Sequence, residues 1–123
     1  MTNSESLEKG RRALQQLRGG AGGPIGVTEE VFPDFSKMTL EHLFGEVWSR
    51  PGLAMRDRSL ITMAVLTALA RTEELKVHMG FALNLGISRD EILEMVMHVA
   101  HYAGWPAGVN AVRVAKDVFS SRT

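Results

Sequence analysis

The chain has 123 residues, no cysteine, and 14 Lys+Arg against 14 Asp+Glu. That length suits one core burying roughly two-thirds of the unfolded surface, so a single domain over 1–123 is predicted, with 1–27 an N-terminal helix and Gly-rich loop and 28–123 the helical core. Balanced charge leaves no field of one sign to gather nucleic acid or a membrane surface, and the missing cysteines exclude disulfides, thiolate nucleophiles, redox pairs and thiolate metal sites.

The opening stretch MTNSESLEKGRR has no apolar run of the leader type, and the longest apolar stretch, around Leu60 to Ala70, is interrupted by Thr62 and Thr67. A soluble, cytoplasmic protein is therefore expected. Leu7, Leu14 and Leu17 at helical spacing predict a first helix over 4–17, ended by Gly19, Gly20, Gly22, Gly23 and Pro24. Pro33 suits a first-turn position, and Phe35, Met38, Leu43, Phe44 and Val47 form the apolar stripe of a second helix reaching Trp48, which Pro51 and Gly52 stop.

Asp57 can cap a third helix through Ala70, whose Leu60, Ile61, Met63, Ala64, Val65, Leu66, Ala68 and Leu69 leave so little polar surface that a central position is expected. Thr72 opens a fourth helix with Glu73 and Glu74 in its first turn, and Gly86 closes it. Ser88 and Glu91 have the spacing of a capping box for a fifth, running to Gly104. Pro106 can start a sixth, with Val109, Val112, Val114, Val118 and Phe119 as its apolar positions. No strand pattern competes, so the predicted fold class is all-α with six helices.

The succession GEVWSRPGL, RSLITMAVLTALAR, EELKVHMGFALNLGIS and YAGWPAGVNAVRVAKDVF resembles the carboxymuconolactone decarboxylase family over about 75 residues. Within it, GEVWSRPGL is more similar to the gamma-carboxymuconolactone decarboxylases of aromatic catabolism than to the alkylhydroperoxidase-D-like (AhpD-like) branch. The resemblance implies an AhpD-like helical domain, a homotrimeric or homohexameric ring, and decarboxylation of a carboxylated unsaturated gamma-lactone. In the peroxidase branch a Cys-x-x-Cys-x-x-x-His motif carries the reaction. His78 aligns with its histidine, Arg71 and Glu74 stand at the cysteine positions, and Ser59 replaces an upstream glutamate, so peroxide reduction by that route is excluded. Trp105 and His101 depart from the decarboxylase pattern, where smaller or aliphatic residues are expected.

In the implied reaction, loss of carbon dioxide pushes electrons through the ring double bond into the lactone carbonyl. The substrate is its own electron sink, so no cofactor and no metal is expected. The protein must donate a hydrogen bond to the developing dienolate oxygen, wall off the leaving carboxylate, hold the other carboxylate and allow a proton to reach carbon. His78 is the first candidate for proton donor or oxyanion partner; a structural hydrogen bond is its plainer role. Glu74, one turn earlier, can orient the ring or raise its pKa, or simply complement the helix start.

Glu46 is a candidate buried acid or orienting group for His78, and Trp48 a pocket, core or subunit-contact residue. Arg58 and Arg71, ahead of Arg50, are candidate carboxylate clamps, because a guanidinium grips a carboxylate bidentately and keeps its charge; a surface or ion-pair role is the plainer reading of each. Glu94, His98, His101 and Tyr102 fall on neighbouring helical positions, where a metal site is weaker than a pocket wall shared with Trp105. A non-catalytic small-molecule binder or scaffold, and a cofactor-free lyase, hydratase or isomerase on another enolisable carbonyl compound, stay open as alternatives.

Overall fold

Small residues decide how the chain begins. Helix α1 (Asn3–Leu17) is started by Thr2, whose hydroxyl accepts from the Glu5 amide at 3.1 Å. It buries Ser6, Gly10, Ala13, Leu14 and Leu17, a stripe at helical spacing built as much from small residues as from leucines. The computed structural model describes residues 2–23 and 26–122, and among them every regular element is helical. The residues cluster into two compact units that divide after Met55. Gly19 and Gly20, at φ 69° and 93°, end α1 as anticipated; Pro24 lies outside the described residues.

The first unit continues through α2 (Val27–Val31), α3 (Pro33–Met38) and a π-helical segment (Thr39–Trp48). The single helix expected here is thus more elaborate, and the described residues form eight helical segments where six were predicted. Proline disfavours helical geometry in the residue before it, so Phe32 breaks the chain at φ −139° and Pro33 restarts it. From Thr39 the winding widens to the i→i+5 pattern. The wider turn rotates the buried stripe away from that of an ordinary α-helix. Phe44, Gly45 and Trp48 face inward, while Phe35, Met38 and Leu43, expected inside, are exposed.

α1 packs along the π segment backbone to backbone. A Cβ on Gly10 would collide with the Leu40 carbonyl, and one on Gly45 with the carbonyl of Ser6. These two glycines are what permits the approach. Ser49 closes the segment by donating its hydroxyl to the Phe44 carbonyl at 2.7 Å.

The second unit holds α4 (Met55–Ala68), α5 (Thr72–Asn84), α6 (Arg89–Ala103) and α7 (Trp105–Ser120). Met63, Leu75, Met79, Ile87, Ile92, Val96, Ala111, Val114 and Val118 are the heart of its core. Ser88 and Glu91 form the reciprocal capping box the sequence announces, and Arg56 pairs with Glu91. α6 and α7 cross closely at Gly108, where an added Cβ would stand 2.7 Å from that of Ala100. Pro106 sits in the first turn of α7; Val114 and Val118 are buried as expected, whereas Val109 and Val112 are exposed. No helix among the described residues is long and apolar enough to cross a membrane.

α4 departs most from expectation. Asp57 lies inside its first turn rather than at its cap, and the helix is not central to the unit. Only Ser59, Met63 and Thr67, four residues apart, are buried. Ile61, Val65 and Leu69 are 52%, 49% and 61% exposed. Near-uniform apolarity around a helix does not choose which side the unit covers.

Candidate functional site

The candidate residues fall on both units. On the second, His78 stands midway along α5, half-buried, with its ring edge-on to Phe81 at 5.2 Å. Burial drives its pKa below the ordinary 6.5, and Glu74 opposes this by its charge. Desolvation is the larger effect, so the increase expected from Glu74 is outweighed and the imidazole is neutral at neutral pH. A neutral imidazole still carries one N–H donor.

Arg58 is half-buried on α4, and its own carbonyl accepts from the Thr62 hydroxyl at 2.8 Å. Arg71 is exposed at the N-terminal edge of α5, just after Ala70, which takes the left-handed conformation at φ 56°. Ser59 is fully buried, in line with Met63 and Thr67, and its hydroxyl has no hydrogen-bond partner among the described residues.

The face of α6 expected to present one wall divides in two. Glu94 and His98 line a concavity of about 670 Å³ with Leu60, Ile61 and Ala64 of α4, and Tyr102 continues that side, its ring 5.1 Å from His98. His101 turns the other way. Its Nδ1 lies 2.8 Å from the Met97 carbonyl and its ring stands edge-on to Trp105 at 5.6 Å. Trp105 belongs to a separate, almost wholly apolar groove of about 350 Å³ between α6 and α7, with Met97, Ala100 and Val112. His98 and Trp105 therefore do not share a pocket.

On the first unit, Glu46 lies near the end of the π segment and is not a buried acid. Its side chain is 45% exposed, and its pKa is lowered from the ordinary 4.5, first by a hydrogen bond with His42, against partial desolvation, and further by Ser6. The group is a carboxylate at neutral pH. His42 Nδ1 is 3.1 Å from Oε2, and the Ser6 hydroxyl donates to Oε1 at 3.3 Å. Lys9, Ser49 and Arg50 edge the same concavity of about 420 Å³, while Trp48 is buried in the unit's interior, tilted on Phe44 at 6.0 Å.

Sequence reasoning did not reach His42 or Ser6. His42 carries the one readable signal, a histidine four residues before a carboxylate. Ser6 carries none, being 40 residues from its partner.

Comparison with known proteins gives these positions a context. A 4-carboxymuconolactone decarboxylase of Acinetobacter baylyi is 45% identical over 86 residues, 70% of this chain and 64% of that protein. A nitrosuccinic acid decarboxylase of Metarhizium robertsii is 36% identical over 84 residues, 68% of this chain and 59% of the relative. An uncharacterized 15.0 kDa protein of Paracoccus denitrificans is 29% identical over 94 residues, 75% of this chain and 70% of its own. The matched stretch thus spans a little under two-thirds of the two named decarboxylases. The model of the carboxymuconolactone decarboxylase family matches residues 33–117, a stretch that includes Glu46, Arg58, Arg71, Glu74, His78, His98 and Trp105; the chain belongs to the carboxymuconolactone decarboxylase family.

Proposed function

We propose that this protein decarboxylates a carboxylated unsaturated gamma-lactone of the 4-carboxymuconolactone type, in the catabolism of aromatic compounds. The observation that carries this reading is the 45% identity to a decarboxylase of that substrate over 70% of the chain. The bond between the ring carbon and the carboxylate breaks, its electron pair passes through the double bond to the lactone carbonyl oxygen, and carbon dioxide leaves. Because the substrate accepts these electrons itself, the reaction asks the protein for orientation and charge stabilisation rather than a carbanion-stabilising cofactor.

His78, neutral and half-buried, suits donation of a hydrogen bond to the dienolate oxygen, a task that a neutral imidazole in a dry setting performs well. Arg58 and Arg71 are the clamps for the substrate carboxylates, with Arg50 at the rim beside Glu46. Glu74 raises the proton affinity of His78 against the larger effect of burial. Glu46, kept ionised, takes the role of a catalytic carboxylate. His98 and Tyr102 on one side of α6, and His101 with Trp105 on the other, are candidate walls for substrate. The exposed apolar side of α4 favours assembly of copies, and the family resemblance makes a homotrimer or homohexamer the expected form.

The match to the nitrosuccinic acid decarboxylase favours a second reading within the same chemistry. In that acid a nitro group beside the carboxylate accepts the electron pair, as the lactone carbonyl does. One assay decides: purified protein is given the lactone, followed by loss of its ultraviolet absorbance, and nitrosuccinate, followed by release of carbon dioxide. Turnover of the lactone supports the first reading, turnover of nitrosuccinate alone the second, and turnover of neither overturns both.

A further inference from the structure

Glu46 is held from two sides by residues to which no role has been assigned. Its two oxygens have different partners: Oε2 faces His42 Nδ1 at 3.1 Å and Oε1 receives the Ser6 hydroxyl at 3.3 Å. With both oxygens engaged, the rotamer of the carboxylate and the face it turns toward the concavity are set. The two contacts are unequal. A hydroxyl normally reaches a carboxylate at about 2.5–2.7 Å, so the Ser6 contact is long and His42 is the stronger anchor.

Ser6 is nonetheless deeply seated, at 1% exposure. Its carbonyl rests on Gly45, the residue before Glu46, where a Cβ would collide with it, and Gly10 lies equally close to Leu40 one turn further along α1. The glycine contacts fix the height of α1 on the π segment, and that height brings a buried serine to a carboxylate 40 residues away. α1 also contributes Lys9 to the rim of the concavity that Arg50 edges. The family match begins at residue 33, so Glu46 lies inside it and Ser6 and Lys9 outside.

We propose that His42 and Ser6 are positioning residues for Glu46, and that the N-terminal helix is thereby part of the reaction's machinery rather than an appendage to it. The proposal rests on the reading of Glu46 given above. Neither residue touches substrate; each acts through the carboxylate.

The test separates the two claims. Glu46→Gln is measured first on the full chain with the lactone. Full turnover in that variant overturns the role of Glu46 itself. If kcat falls, His42→Leu and Ser6→Ala are each expected to lose about 5- to 30-fold in kcat, the range of one hydrogen bond, with KM within about twofold and the larger loss in His42→Leu. His42→Gln, which keeps an N–H donor but cannot ionise, should recover most of the loss.

A second readout needs no turnover: the Glu46 carboxyl, followed by carbon-13 NMR, should titrate at higher pH in His42→Leu and Ser6→Ala than in the parent. Lys9 and Arg50, which edge the same concavity, are unchanged in these variants. Should Ser6→Ala fail to fold, the exposed His42 still decides. Loss of kcat in Glu46→Gln, with kcat and the Glu46 titration unchanged in His42→Leu, overturns the proposal.

Discussion

Gly10 of α1 lies directly under the carbonyl of Leu40 on the π segment, so close that a single added methyl would overlap it. The atom in the way is backbone and cannot swing aside. Gly10→Ala should therefore cost about 2–3 kcal/mol of stability, in the upper half of overpacking penalties. Urea denaturation should show a lower midpoint with little change in slope. An unchanged midpoint would mean that α1 does not pack against the π segment in solution.

His78 yields a prediction for rate. A hydrogen-bond donor to a developing oxyanion is worth ~10²- to 10³-fold, so His78→Ala should lose at least about 100-fold in kcat. Gln retains a donor without proton transfer. Near-parental kcat in His78→Gln identifies a hydrogen-bonding role, and equal loss in Gln and Ala, with folding intact by circular dichroism, identifies proton transfer.

The same residue predicts a dependence of stability on pH. Burial depresses the His78 pKa below 6.5, so the unfolded chain binds a proton at a pH where the folded one does not. Stability should accordingly be full above the ordinary histidine pKa and fall as pH drops from there toward the folded pKa. His78→Gln should lack this contribution, which denaturation of both proteins across that window checks. Glu74→Gln should move the His78 titration still lower, since Glu74 is the group that raises it.

Ala70 occupies the left-handed region at φ 56°, and the Arg71 amide reaches back to the Leu66 carbonyl at 2.9 Å to close α4. This is the position where glycine is the usual residue. Relief of a left-handed alanine, about 1–2 kcal/mol, exceeds the added freedom of glycine in the unfolded chain, about 0.4–1 kcal/mol. Ala70→Gly should stabilise by about 0.5–1 kcal/mol and raise Tm by a few degrees, as measured by calorimetry.

Val65, midway along the exposed side of α4, tests assembly. If copies of the chain cover that side, Val65→Arg places a charge in an apolar contact and should shift the mass seen by light scattering to the monomer. A parent protein already monomeric at micromolar concentration would contradict the assembly reading.

The sequence by itself determined the features that depend on neighbours three or four residues apart. The Ser88–Glu91 capping box, the start of α3 at Pro33 and the turns at Gly19 and Gly86 are local hydrogen-bonding and steric choices, and the chain makes them as read. Its lack of cysteine settled the question of thiol chemistry before any fold was considered. His78 and Glu46 were legible as candidates because they stand in recognisable segments.

Their electrostatic states were not legible. Burial of His78 against Phe81, and the capture of Glu46 by His42 and Ser6, depend on which elements pack together. The widened winding over Thr39–Trp48 belongs to the same class, since it accompanies the close seat of α1 at Gly10 and Gly45, and a periodicity of 3.6 residues could not anticipate which side chains it turns inward. Which side of α4 is covered was likewise decided by tertiary packing: a helix apolar all round carries no local preference, and only the contacts of Ser59, Met63 and Thr67 with the rest of the unit break the tie.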